Sequence, residues 1–196
     1  DHAWIGKPQF GGGGLIPLRR VYDRFTAPGV ALVGDAACQV MAGHGSGIGF
    51  GLIAGKVLAE AVEGATDPGD PDVLWDYQAR YLREFGAVLA SYDAARRMSV
   101  KLGADGIEAL YACGVFSPAM AEPGLEQRLG MLRPREAAHA AKELATRPHL
   151  AKIVFPALAA MGGARGLYRT YPKQRSARAF GAWTTAARIL GGPSPL

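Results

Sequence analysis

The chain has 196 residues, of which 49% are hydrophobic and 20% are charged, a composition that is globular and excludes a disordered or fibrous protein. Two cysteines, Cys38 and Cys113, are too few for a disulfide framework and are typical of a reducing compartment. The start of the chain lacks the charged and apolar segments of a signal peptide. No uncharged apolar run reaches about 18 residues, so no membrane span is predicted and a cytoplasmic location is expected.

Charge is distributed unevenly along the chain. Residues 1–127 carry 10 Lys/Arg against 15 Asp/Glu, whereas residues 128–196 carry 12 Lys/Arg against only 2 Asp/Glu. The first interpretation of the basic segment is a solvated helical surface. The alternative is peripheral contact with a membrane surface of anionic lipid. No nucleic-acid-binding module accompanies the arginines, so we expect no nucleic-acid partner.

The first predicted elements are a strand and a helix. Residues 1–28 are expected to be extended chain and loop, because glycines and Pro17 interrupt any regular pattern. After the Pro28-Gly29 turn, the apolar run Val30–Val33 predicts a buried parallel strand. Residues 47–63 lack proline and carry apolar side chains around most of the circumference, which predicts a buried helix.

The loop at residues 64–72 is the predicted boundary between residues 1–66 and a helical region, residues 67–196. Asp72 is expected to cap a helix over about 73–101, with Trp75, Tyr81, Leu82, Phe85 and Leu89 facing inward. Prolines separate the further predicted helices. These cover residues 103–113, 125–131, 134–146, 149–161 and 174–190.

The segment around Gly34 and Asp35 is the candidate for chemistry. A strand end would deliver Asp35 to the carboxyl edge of a sheet, where α/β folds bind ligands. An ionised carboxylate only accepts hydrogen bonds, so it suits sugar or ribitol hydroxyls. The helix that begins near Gly47 would present free N–H groups at the same edge. Such groups suit a pyrophosphate or the carbonyl edge of a reduced flavin.

The stretch GVALVGDAACQVMAGHGSGIGFGLIAGKVLAEAV (residues 29–62) resembles the second FAD motif of flavoproteins with the para-hydroxybenzoate hydroxylase type of fold. Within that group it is most similar to the geranylgeranyl reductase family, because of GGLIP at 13–17, Cys38-Gln39, HGSGIG at 44–49 and AGK at 54–56. The resemblance covers residues 13–63, about a quarter of the chain.

This resemblance implies the carboxy-terminal portion of an α/β FAD-binding fold, mostly α-helical here with few short strands. The implied protein is an FAD-dependent oxidoreductase that reduces C=C bonds of isoprenoid lipids by hydride transfer from reduced flavin. Its implied partners are a prenyl-lipid substrate, NAD(P)H or a ferredoxin-type electron donor, and the missing amino-terminal half of the FAD domain. The implied cofactor-binding residues are Gly34, Asp35, Gly45, Ser46, Gly47, Ile48 and Gly49.

Two departures from the family pattern qualify this reading. Ala42 stands where the family usually has a proline before the glycine turn. No Gly-x-Gly-x-x-Gly segment follows a strand near the start, so the adenosine-pyrophosphate site is not expected in this chain. Two alternatives stay open: a flavin-dependent monooxygenase or halogenase of the same fold, and a non-catalytic helical interaction module.

Two single residues have competing interpretations. Cys38 is either a redox residue near the flavin ring or a small apolar filler. His44 is either a flavin contact or an exposed loop histidine. No catalytic acid is identified, and the scattered histidines predict no metal site.

Overall fold

The computed structural model describes residue 7 and residues 11–116, 118–130 and 133–192. Within these ranges, two short strands and a 3₁₀ turn precede six α-helices. The prediction of a mostly helical segment with few short strands is confirmed for this part of the chain. The α/β FAD-binding fold itself stays a prediction. The expected extended chain at residues 1–6 and 8–10 lies outside the described residues.

The strands are β1 (Thr26–Ala27) and β2 (Val30–Ala31), which pair antiparallel across the Pro28-Gly29 turn. Gly29 has a φ of +71°, a conformation that glycine adopts without a Cβ penalty. The prediction of a buried parallel strand over Val30–Val33 is wrong among the described residues, because the strand pairs with its immediate neighbour and Val30 is 51% exposed. Gly34 and Asp35 begin the 3₁₀ turn Gly34–Ala37, which follows this hairpin.

Helix α1 spans Ile48–Val62, within one residue of the predicted bounds. Its buried side chains are Phe50, Ala54 and Val57, which form one face against α2. The expectation of a helix buried nearly all round is wrong, since Ile48 is 83% and Leu52 72% exposed.

Helix α2 spans Pro71–Ala112 and joins the two helices predicted over 73–101 and 103–113. The expected break is visible at Gly103, whose φ of +64° and ψ of −174° are non-helical. The cap is Asp70 rather than the predicted Asp72, because the Asp70 side chain accepts hydrogen bonds from the N–H groups of Asp72 and Val73. Proline then fits the first turn, where its missing N–H costs nothing.

The remaining helices are α3 (Pro118–Leu125), α4 (Pro134–Ala145), α5 (Pro148–Arg169) and α6 (Ala177–Gly191). The helix predicted over 125–131 is wrong, because α3 begins at Pro118 and ends at Leu125. The prediction that a helix ends near 161 is also wrong, because α5 continues through Pro156 to Arg169. Tertiary contact with α2 accompanies this continuation, for example the hydrogen bond from Ser91 Oγ to the Met161 carbonyl (3.2 Å).

Two apolar clusters hold the described residues together. The larger cluster joins residues of the 21–41 segment and α1 to α2, α5 and α6, and the smaller one joins the second half of α2 to α4 and α5. In the larger cluster, Gly86 of α2 lets the Tyr168 ring of α5 approach the α2 backbone. Residues on both sides of the 66/67 boundary share this cluster, and the division into two domains stays a prediction.

Helix α5 also has the length and composition of a membrane-crossing helix. Among the described residues it is the one helix that is long and apolar enough to cross a membrane, and 22% of its most apolar 18-residue stretch is buried. A single helix of this kind is weak evidence for a membrane span.

Candidate functional site

Hydrogen bonds between Gly34 and Gln39 fix the Gly34–Ala37 turn. The Gly34 N–H donates to Gln39 Oε1 (2.6 Å), and the Gln39 N–H donates back to the Gly34 carbonyl (3.0 Å). Gln39 Nε2 in turn donates to the Tyr77 hydroxyl (3.0 Å), which donates to the Leu32 carbonyl (2.9 Å). Because Gln39 and Tyr77 are buried, these hydrogen bonds hold the turn against α2 and fix the backbone next to Asp35.

Asp35 itself is exposed and faces the start of α1. A Cβ on Gly47 would lie 2.9 Å from Asp35 Oδ1 and 3.1 Å from Val40 Cγ2. The absence of a side chain at Gly47 therefore allows the carboxylate to lie against the helix start. The predicted neighbourhood of Asp35 and Gly47 is present in the structure.

Backbone hydrogen bonds close the glycine turn before α1. The Met41 N–H donates to the Ser46 carbonyl (2.9 Å), and the Gly45 N–H donates to the Met41 carbonyl (2.8 Å). Gly45 has a φ of +78°, which a residue with a side chain rarely adopts. This geometry positions Ser46, Gly47 and Gly49 at the amino end of α1.

The amino end of α1 has the electrostatic character of an anion or carbonyl site. Gly47 is its N-cap residue, and no side chain caps the helix. The first N–H groups of a helix lack intrahelical acceptors and carry the positive end of its dipole. Asp35 adds a hydrogen-bond acceptor beside these donors. Asp35 and the start of α1 together can hold a ligand that presents hydroxyl groups to the carboxylate and a phosphate or carbonyl to the helix.

Comparison with known proteins gives partial matches. No family model matches the chain. The chain is 38% identical over 98 residues to the digeranylgeranylglycerophospholipid reductase of Sulfolobus acidocaldarius, an alignment that covers 49% of this chain and 22% of that protein. It is 32% identical to the protein of the same name from Methanothrix thermoacetophila, over 50% of this chain and 25% of that protein. It is 30% identical to the menaquinone reductase of Mycolicibacterium smegmatis, over 50% of this chain and 22% of that protein.

Over about half its length, the chain is related to geranylgeranyl reductase-like proteins. This relationship confirms the resemblance carried by the 29–62 stretch. The matched region spans about a quarter of the length of these curated relatives. All three of these relatives are reductases by name.

The structure shows the surroundings of the two residues with competing interpretations. Cys38 is 1% exposed, and burial raises the pKa of its thiol, so the reactive thiolate is disfavoured. His44 Nδ1 accepts from the Ser46 N–H (3.3 Å), which leaves Nε2 to donate to the Gly124 carbonyl (3.2 Å). Both ring nitrogens of His44 are thus engaged by the protein. These contacts favour a packing role for Cys38 and a loop-bracing role for His44.

Sequence reasoning missed the contacts that tie the turns to the helical region. Tyr77 and Tyr92 lie on α2, and Gln127 follows α3, each far along the chain from the glycine turn. No periodicity or spacing links them to residues 34–49. The Cys38-Gln39 pair belongs to the motif, but the buried hydrogen bond of Gln39 to Tyr77 depends on how α2 packs.

An open cavity in the described part of the chain lies away from the candidate site. It has a volume of about 440 Å³ and lies between the β1–β2 hairpin and α6, with Phe25, Val30, Leu32, Phe180 and Arg188 among its lining residues. None of the predicted cofactor-binding residues lines it. The candidate site at the start of α1 is defined by its hydrogen-bonding groups.

Proposed function

We propose that this chain forms the carboxy-terminal portion of an FAD-dependent oxidoreductase that reduces C=C bonds of isoprenoid lipids or quinone side chains. The observation that carries the proposal is the Asp35 carboxylate lying against Gly47 at the uncapped start of α1. This pairing occurs within the stretch that resembles an FAD motif. The reductase relatives support the same reaction class.

The residues present suit one part of FAD. Asp35 would accept hydrogen bonds from ribityl hydroxyls, and the backbone of Gly47, Ile48 and Gly49 would face the carbonyl edge of the ring. Gly34 and Gly45 hold the positive-φ turns that shape this surface, and Ser46 closes the glycine turn. When bound, FAD supplies the hydride-transfer chemistry. The adenosine-pyrophosphate half of the cofactor would require the amino-terminal half of the FAD domain.

The helical region is proposed to cover an apolar prenyl substrate and to touch a membrane surface. The excess of Lys/Arg over Asp/Glu in residues 128–196 supports contact with anionic lipid. Exposed apolar side chains on α5 and α6, Phe155 and Ile189, would add to it. Sedimentation with anionic vesicles, but not with neutral ones, is the expected result. A protein that sediments with neither kind of vesicle would contradict the proposed membrane contact.

The reaction is tested with protein from the longest reading frame that contains this chain. The flavin would be reduced chemically without oxygen and mixed with a geranylgeranyl lipid or a menaquinone. The expected product gains two hydrogens for each reduced double bond, as measured by mass spectrometry. A product that gains oxygen, formed only with NAD(P)H and air, would indicate the monooxygenase alternative instead. A folded protein that binds no flavin and forms neither product would leave the helical-module interpretation.

A further inference from the structure

Gln127 is one of two non-glycine residues with a positive φ among those the structure describes. Its φ is +56°, and the other such residue, Cys38, ends the Gly34–Ala37 turn. Residues with side chains adopt this conformation at an energetic cost, and such residues cluster at binding sites. Although Gln127 lies about eighty positions from the glycine turn along the chain, its side chain contacts that turn.

The Gln127 carboxamide lies over the first turn of α1. Its Nε2 donates to Ser46 Oγ (3.1 Å), and its Oε1 lies 3.3 Å from the position that a Cβ on Gly49 would take. The missing side chain of Gly49 thus leaves space that the carboxamide approaches. Ser46 uses one of the two Nε2 hydrogens, and none of the described residues donates to Oε1. The carboxamide keeps a donor and an acceptor beside the free N–H groups of the helix.

The segment that carries Gln127 is anchored on both sides. His44 Nε2 donates to the Gly124 carbonyl (3.2 Å), and the Tyr92 hydroxyl donates to the Arg128 carbonyl (3.0 Å). The Tyr92 ring also packs between Gly43 and Gly124, since a Cβ on either glycine would lie 3.1 to 3.3 Å from ring atoms. These contacts fix the position of the backbone at residue 127 relative to the glycine turn.

We infer that Gln127 is a further ligand-binding residue, supplied by the helical region to the site at the start of α1. The ligand class that suits it is a planar group with alternating C=O and N–H along one edge, as in the pyrimidine part of a flavin. A carboxamide offers both a donor and an acceptor to such an edge, whereas the helix start offers donors only. This inference rests on the proposed function, because it concerns the same bound group.

The test compares three variants of protein from the longest reading frame that contains the chain. Gln127→Gly removes the carboxamide and relieves the backbone strain, so a purely structural role and a binding role predict different results. Gln127→Asn retains a carboxamide and tolerates the left-handed conformation, but its shorter side chain cannot reach as far. Gln174→Gly, in the exposed loop between α5 and α6, is the matched control.

Three quantities are measured for each variant: the Tm of the flavin-free protein, the Kd for FAD by fluorescence quenching, and the visible spectrum of the bound flavin. For Gln127→Gly we expect a Tm equal to or above that of the wild type and a Kd at least about tenfold weaker. Gln127→Asn should likewise keep its Tm and bind FAD more weakly, and Gln174→Gly should bind FAD as the wild type does. The visible spectrum of the remaining bound flavin should also shift in the Gln127 variants.

The outcomes separate this inference from the function on which it rests. If the wild type binds FAD and both Gln127 variants keep its Kd and spectrum, Gln127 does not contact the ligand and the inference is overturned. A lowered Tm in both variants with an unchanged Kd would also overturn it, since Gln127 would then act only in packing. If the wild type binds no FAD at all, the proposed function fails first and the inference fails with it.

Discussion

Substitution of Gly86 by alanine tests the contact on which α2 and α5 pack. A Cβ at this position would lie 2.1 Å from Tyr168 Cδ1 and 2.4 Å from Cε1. Ordinary van der Waals contact begins near 3.4 Å, so the ring would have to move by about 1.3 Å. Tyr168 is 2% exposed and its ring packs edge-on against Trp183, with centroids 5.2 Å apart, so it has little room to move.

Two opposing terms set the expected magnitude. Overpacking of a rigid core costs about 1–3 kcal/mol and at times more. Replacement of a helical glycine by alanine returns about 0.5–1 kcal/mol. With such close overlap we expect the first term to dominate, for a net loss of about 2 kcal/mol. In a domain of this size that loss lowers the Tm by roughly 4–8 °C.

The assay is thermal unfolding followed by far-ultraviolet circular dichroism, with urea denaturation for the free energy of unfolding. Gly166→Ala on α5 is the matched control, because nothing lies within 4 Å of the Cβ that it would add. That control should gain about 0.5–1 kcal/mol from helix propensity alone. A Gly86→Ala protein as stable as the wild type, or more stable, would refute the close approach of α2 and Tyr168.

Three further predictions concern buried polar groups and the site. Asp23→Asn should lower the free energy of unfolding in urea by about 3–5 kcal/mol, because it leaves the buried Arg20 guanidinium without its carboxylate; a loss below about 1 kcal/mol would contradict this. Tyr81→Phe should leave that free energy unchanged or raise it by up to about 1 kcal/mol, because the buried Tyr81 hydroxyl has no hydrogen-bond partner among the described residues. Burial raises the pKa of Tyr81, so the wild type should lose stability as the pH rises above the unfolded value of about 10, and the variant should lose less; identical urea midpoints across that range would argue against it. Gly47→Ala should weaken FAD binding about tenfold or more, because its methyl group displaces the Asp35 carboxylate, and should lower the Tm slightly, because the methyl group also presses on the buried Val40; an unchanged Kd would mean that the contact with Asp35 does not serve binding.

Sequence patterns predicted the elements whose signals are local. The glycine turn and the proline-free run after it predicted α1 within one residue, because capping and periodicity act over a few positions. The break predicted between residues 101 and 103 lies at Gly103 in the structure. The end predicted near residue 161 was wrong, since α5 packs against α2 and continues to Arg169.

The site was predicted only as far as its local part. Asp35 and Gly47 belong to one motif, so their closeness could be expected from the resemblance. The hydrogen bond of Gln39 to Tyr77 and that of Gln127 to Ser46 join residues far apart in the chain. Such contacts depend on how helices pack, and nothing in the spacing of polar residues specifies that packing.

Asp35 and the start of α1 form the proposed flavin site. The most direct measurement is the visible absorption spectrum of protein purified from the longest reading frame that contains the chain, with and without Asp35→Ala. Because Asp35 is exposed, the substitution should leave the fold and the Tm nearly unchanged. We expect the bands of an oxidised flavin in the parent protein and their loss in the variant. A folded parent protein without these bands, or a variant that retains them in full, would contradict it.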